Sequence, residues 1–168
     1  MQCDYFRLCY LRRNGGVCVD ADEHYVGGSD FLALFQNDGL KLQPLCFDLC
    51  TTRMVPATQF ISEPYDHNRI YYFNNNPIVA RKGDPVVELA LQRATEKLLG
   101  NPAQLDIQAT TGPGNLTESL LLHAFAQSAE DCFSKEFQPL FQWDEISISK
   151  YPLSYRNDNR NWRNHRTC

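Results

Sequence analysis

From 4 to 13 the chain carries apolar or aromatic residues at Tyr5, Phe6, Leu8, Cys9, Tyr10 and Leu11, without Pro or Gly. That density predicts a mostly buried helix rather than a strictly amphipathic one. Asn14-Gly15-Gly16 stops it, since Asn and Gly tolerate the left-handed conformation at a helix C-terminus. Val17-Cys18-Val19 then reads as a short buried strand, with Asp20 and Asp22 at strand positions pointing to one side. Residues 23–44 read as a loop and a short amphipathic helix. Ser29 or Asp30 starts that helix, Phe31, Leu32, Leu34 and Phe35 form its apolar face, and Asn37-Asp38-Gly39 ends it.

Residues 45–52 and 59–61 read as strands, and 65–69 as a polar turn. Ile70-Tyr71-Tyr72-Phe73 is a strong strand signal, rich in aromatic and β-branched residues. Asn74-Asn75-Asn76-Pro77 interrupts it, and Ile78-Val79-Ala80 resumes. Asp84 and Pro85 are a fitting N-cap and first helical residue for a helix over 86–99. Thr110-Thr111-Gly112-Pro113-Gly114 precedes another helix over 115–127, carrying Leu116, Leu120, Leu121 and Ala124. Strands alternating with helices predict an α/β domain.

Composition narrows the class. With 168 residues, 43% of them hydrophobic, one compact domain with a core is affordable. No apolar stretch is long enough to span a bilayer and no signal peptide opens the chain. A net charge of −4, with basic residues concentrated only between 156 and 166, disfavours nucleic acid as a partner. The seven cysteines, at 3, 9, 18, 46, 50, 132 and 168, show no zinc-ligand spacing. Free, mostly buried thiols in a reducing cytoplasm are the expectation.

The candidate chemistry lies near the start. Two carboxylates one residue apart, Asp20 and Asp22, can converge on a hard divalent cation, which takes oxygen ligands and commonly binds carboxylates together with substrate phosphates. Such a cation neutralises a departing diphosphate. Asp4 and Arg7 share a helix face; they are either a plain i,i+3 pair or a substrate clamp, with the planar fork of Arg7 holding a phosphate or sugar oxygen. The glycine-bearing turn at 110–114 opens a helix, where anions are favoured, or it is a tight connection only. The Asn run is equally readable as a turn.

Taken together, Asp4-x-x-Arg7 on a helix, Gly15-Gly16, and an apolar strand ending in Asp20-x-Asp22 resemble the glycosyltransferases with a DXD sugar-binding region. That group includes fungal initiating mannosyltransferases, capsular polysaccharide transferases and clostridial glucosylating toxins. Phe73 to Ala80, with its Asn-Asn step, and the Thr-Gly-Pro at 111–113 are similar to the group's later motifs. Cys18 stands where the family usually has an aromatic residue.

The resemblance implies a GT-A-like mixed sheet flanked by helices, as a partial domain, because the family's N-terminal nucleotide-binding half would precede Met1. It implies retaining, metal-dependent transfer from a nucleotide-sugar donor to a glycan or protein acceptor. Asp20 and Asp22 would be catalytic and hold Mn²⁺ or Mg²⁺. Asp4, Arg7, Asn75 and Gly112 would bind the donor sugar. Residues 1–150 would form the catalytic region. The polar, basic tail at 151–168 would close over the site or be disordered, with Asn161, Trp162 and His165 as candidates there and His165 as a further metal ligand. Location would be cytoplasmic, or the Golgi lumen for a fungal-type parent, with membrane association only through a segment outside this chain. Two other readings stay open: a haloacid-dehalogenase-like phosphatase, which shares the apolar-strand-DxD pattern, and a non-catalytic remnant.

Overall fold

The computed structural model describes residues 1–27, 36, 39–100, 105–127 and 135–149. The helix expected over 29–35, Cys132, and the tail with Asn161, Trp162, His165 and Cys168 lie outside the described residues. The elements in chain order are α1 (Gln2–Asn14), β1 (Gly16–Cys18), β2 (Glu23–Tyr25), β3 (Leu40–Asp48), β4 (Arg53–Val55), α2 (Ala57–Phe60) and β5 (Arg69–Ala80). They continue with α3 (Pro85–Gly100), α4 (Ile107–Thr110), α5 (Pro113–Ala126), β6 (Phe137–Pro139), α6 (Trp143–Ile146) and β7 (Ser147–Ser149).

The main sheet is mixed, as expected. Its order is β1-β5-β3-β4, with antiparallel neighbours, and β6 joins β3 in parallel. β6 pairs with Leu40 to Leu42 and β4 with Cys46 to Asp48, so both lie on the same edge of β3, at opposite ends. β2 and β7 form a separate two-stranded ribbon.

Helices flank this sheet. On one face Leu8 and Leu11 of α1, Val86, Val87 and Ala90 of α3 and Leu116, Leu120 and Ala124 of α5 form one core with Leu40, Leu42, Ile78 and Ala80. On the other, Trp143 and Ile146 of α6 pack with Leu140, Val79 and Val17. α1 is tied to α3 by the Tyr5 hydroxyl, 2.9 Å from Thr95 Oγ1, which itself donates to the Leu91 carbonyl.

The first helix departs from the sequence reading. α1 buries only Leu8 and Leu11, which lie one turn apart on the side that faces the core. Phe6, 68% exposed, and Tyr10 lie on the outer side, where their rings meet at 6.3 Å. The apolar density belongs to a surface helix that buries one narrow side.

Gly15 closes α1 as predicted. It takes φ +69° and ψ −168°, and its N–H donates to the Leu11 carbonyl at 2.8 Å. A Cβ there would stand 2.6 Å from the Lys82 nitrogen. Gly15→Ala is therefore expected to destabilise the fold by about 1–3 kcal/mol from the backbone conformation alone, with the clash adding to that. Urea unfolding of the two proteins measures it.

α3 begins where Asp84 and Pro85 predict. Asp84 Oδ1 accepts from the backbone N–H of Val86 at 3.0 Å and of Val87 at 3.3 Å. Asp84 is only 3% exposed, and burial pushes its carboxyl up from the ordinary value despite those two hydrogen bonds. A raised acid pKa means that folding favours the protonated form. The contribution is full below the ordinary value and is lost as pH rises through the raised one. Asn caps as well as Asp does. Asp84→Asn is thus expected to be at least as stable as the native protein at about pH 7, with its advantage vanishing in acid. Asp84→Ala should cost about 1 kcal/mol. Urea titrations at several pH values decide both.

Other expectations need correction. The strand predicted at 59–61 is instead helical: Gln59 and Phe60 end the turn α2, whose N-cap is Pro56 and whose C-cap is Ile61. The strand predicted at 45–52 starts earlier, at Leu40, and ends at Asp48. Cys46 thus sits in a strand and Cys50 in the turn beyond it. Cys3, Cys9, Cys18, Cys46 and Cys50 are free, but only Cys46 is buried. Among the described residues no helix is long and apolar enough to cross a membrane.

Candidate functional site

The site is built where β1 and α1 meet the middle of β5. The β5–β3 ladder explains why that point is special. Leu42 pairs with Ile78 and Pro44 with Phe73, so two steps along β3 match five along β5. Three extra residues bulge out of β5, and they fall in Asn74-Asn75-Asn76-Pro77; the Asn76–Pro77 peptide is cis. An odd number of extra residues shifts which face each later side chain meets. Phe73 packs on the helix-side core, yet so do Ile78 and Ala80, while Val79 packs with Trp143. The predicted interruption is therefore a bulge inside one continuous strand.

The bulge sends its three asparagines to three places. Asn75 Nδ2 donates to Asp4 Oδ1 of α1 at 2.9 Å. Asn74 Nδ2 donates to Gln43 Oε1 at 3.2 Å, and Gln43 Nε2 in turn donates to Asp144 of α6 at 2.9 Å. Asn76 Oδ1 accepts from the Asp20 backbone N–H at 2.9 Å, and its Nδ2 donates to Glu23 Oε1 at 2.7 Å.

Arg7 completes the cluster. It donates through Nη1 to the Asn75 carbonyl and through Nη2 to Asp20 Oδ1. Its side chain is only 11% exposed, whereas that of Asp20 is 46% exposed. Asp4, Arg7, Asp20 and Asn75 therefore form one connected set, although up to 71 residues separate them in the chain. Asp4 Oδ2 lies 3.3 Å from the Met1 amino group. Cys18 packs against the helix-side core. Burial pushes its thiol up, against the pull of Arg7, so it stays a neutral packing group.

The two aspartates are not on a strand, as the sequence reading had them. β1 ends at Cys18, and Asp20 to Glu23 form a turn in which the Glu23 N–H donates to the Asp20 carbonyl at 3.1 Å. Asp22 is half-buried within that turn.

The donor set can be tested against a divalent cation. Among the described residues, no three His, Cys, Asp or Glu side chains converge. Asp20 Oδ2, by contrast, has no hydrogen-bond partner among them, on a half-exposed carboxylate two residues before Asp22 in the same turn. That arrangement fits a cation sharing its shell with diphosphate oxygens, the usual Mg²⁺ pattern, and not an all-protein cage.

Gly112 caps α5, with Pro113 as its first residue. A Cβ there would be 3.0 Å from Ile107 O and Gln108 Cα, and one at Gly114 would be 2.9 Å from Gln108 O. Close approach of α4 accounts for both glycines. His123 Nε2 lies 2.9 Å from Glu136 Oε2.

Sequence reasoning missed Asn76, Glu23 and Ser147. Glu23 uses both carboxylate oxygens, one for Asn76 and one for the Ser147 hydroxyl of β7. The signal was present in the Asn run, but its register was not.

No protein-family model matches this chain, and no curated protein matches it either. Among solved structures it is similar to one named PaToxG Glycosyltransferase, at 19% sequence identity and a TM-score of 0.47. The likeness covers 76% of this chain and 36% of the other, so the chain spans little more than a third of that structure's length.

Proposed function

We propose that the chain carries the donor-sugar face of a glycosyltransferase, which moves a sugar from a nucleotide-sugar to a glycan or protein hydroxyl, with retention. One observation carries this reading: Asp4, Arg7, Asp20 and Asn75, each a candidate from sequence, join in one hydrogen-bonded set.

Its chemistry suits the task. Among the described residues, two of the five N–H donors of Arg7 are committed, to Asn75 and Asp20, which leaves the others for sugar or phosphate oxygens. Asp4 accepts from Asn75, which fixes that amide where a sugar hydroxyl would meet it. Asp20, and Asp22 beside it, would hold Mn²⁺ or Mg²⁺; when bound, the ion acts as a Lewis acid on the leaving diphosphate. Among the described residues Asp20 keeps one oxygen without a hydrogen-bond partner for that purpose, while Arg7 orients the other. Gly112 and, outside the described residues, His165 remain candidates for the donor and the metal. A nucleotide-binding half would complete the donor site, and the intact enzyme would work in the cytoplasm or, for a fungal-type parent, the Golgi lumen.

Isothermal titration with Mn²⁺ and a panel of nucleotide-sugars tests the reading. Donor binding that requires Mn²⁺ is the expected result. Absence of donor binding at any metal concentration would overturn it, and phosphate release from small esters would favour the phosphatase.

A further inference from the structure

Asn76 is 8% exposed, and its amide serves two elements at once. Oδ1 accepts from the Asp20 N–H, and Nδ2 donates to Glu23. Glu23 opens β2, at the end of the turn that bears Asp20 and Asp22, and it pairs with Ser149 of β7. Its second oxygen accepts from Ser147, whose side chain is buried as well. The acidic turn is thus clamped at both ends by one side chain: at Asp20 through the backbone, and at Glu23 through the carboxylate. None of these three groups is among the donor-contacting candidates.

We infer that Asn76, backed by Glu23 and Ser147, is the positioning residue that sets the Asp20–Asp22 turn for the donor diphosphate. The inference rests on the proposed donor site. Asn76 acts through the turn and touches no substrate.

The pair has a hydrogen-bond polarity that can be reversed. In Asn76→Asp, one oxygen still accepts from Asp20, but the other faces the Glu23 carboxylate, and the repulsion pushes the turn away. In Glu23→Gln, the amide can donate to the Ser147 hydroxyl while its oxygen accepts from Asn76. In the double variant N76D/E23Q, the amide donates to the new carboxylate and its oxygen accepts from Ser147, with net charge unchanged.

The expected result for N76D is a loss of about tenfold or more in affinity for the nucleotide-sugar with Mn²⁺, since a charged hydrogen bond becomes a like-charge contact. E23Q should stay within about threefold, and the double variant should return to that range. Unchanged affinity in a folded N76D protein, or a double variant no better than N76D, would overturn the inference. Amide hydrogen exchange separates this from the parent reading. In Asn76→Ala, the Asp20 N–H should exchange about tenfold faster while β5 amides such as Val79 keep their protection. If the native protein binds no donor, the transferase reading fails, and the exchange result alone decides the clamp. An Asp20 amide exchanging as in the native protein would overturn the clamp as well.

Discussion

Asp20→Asn is expected to lower sugar-transfer turnover by about a hundredfold or more, with little change in stability. The two readouts part because of where this side chain sits. Asp20 is 46% exposed, so its ion pair with Arg7 is screened by solvent and contributes about 1 kcal/mol or less to folding. An amide oxygen at the same place still accepts from Arg7, so the bulge and the turn keep their shape. The negative charge on the other oxygen disappears, and in the proposed reaction that charge holds the cation that neutralises the departing diphosphate. Asp22→Asn should behave alike. Thermal unfolding and steady-state kinetics on the same preparations check the pair of expectations. Near-native turnover with Mn²⁺ in either variant would remove that carboxylate from the mechanism.

How far the sequence foretold this site depends on whether the cause was local. Asp84-Pro85 announces α3 because a cap and a fixed φ act within one turn. Gly15 announces the end of α1 for the same kind of reason. Phe60-Ile61 misled because a short apolar run has no period of its own; the chain makes a single helical turn there, with Pro56 O accepting from Gln59 and Phe60. The ribbon of β2 and β7 was invisible, since three-residue strands carry too little pattern to read.

The candidate site shows the same divide. Asp4 and Arg7 were legible because three residues apart on a helix means one face. Their link to Asn75 rested on resemblance, since nothing local connects residues so far apart. The register of β5 against β3, where three residues are extra, assigns each asparagine its partner. That register is set by long-range pairing, so Asn76 read as another turn residue. Asp20 and Asp22 were found, but on a strand; the turn that holds them depends on an amide 56 positions further along.

The bulge also gives Arg7 a role that lysine is expected not to fill. A strand in regular register turns every carbonyl toward its neighbours in the sheet. The irregular stretch instead frees the Asn75 carbonyl, and Arg7 reaches it from α1. The guanidinium therefore spans two targets, this carbonyl and the Asp20 carboxylate, from two different nitrogens. A lysine carries its donors on one atom and cannot copy that reach. α1 cannot slide to compensate, because Tyr5 is held to Thr95 and Gly15 is pressed against Lys82. Arg7→Lys is thus expected to leave either the carbonyl or the carboxylate without its partner, costing about 1–3 kcal/mol of stability. Turnover should fall by about tenfold to a hundredfold, because in the proposed site the fork also meets the sugar or phosphate oxygens. Chemical unfolding and the ratio kcat/KM with a Mn²⁺-loaded donor measure the two effects. A lysine variant with native kcat/KM would show that Arg7 serves the fold alone.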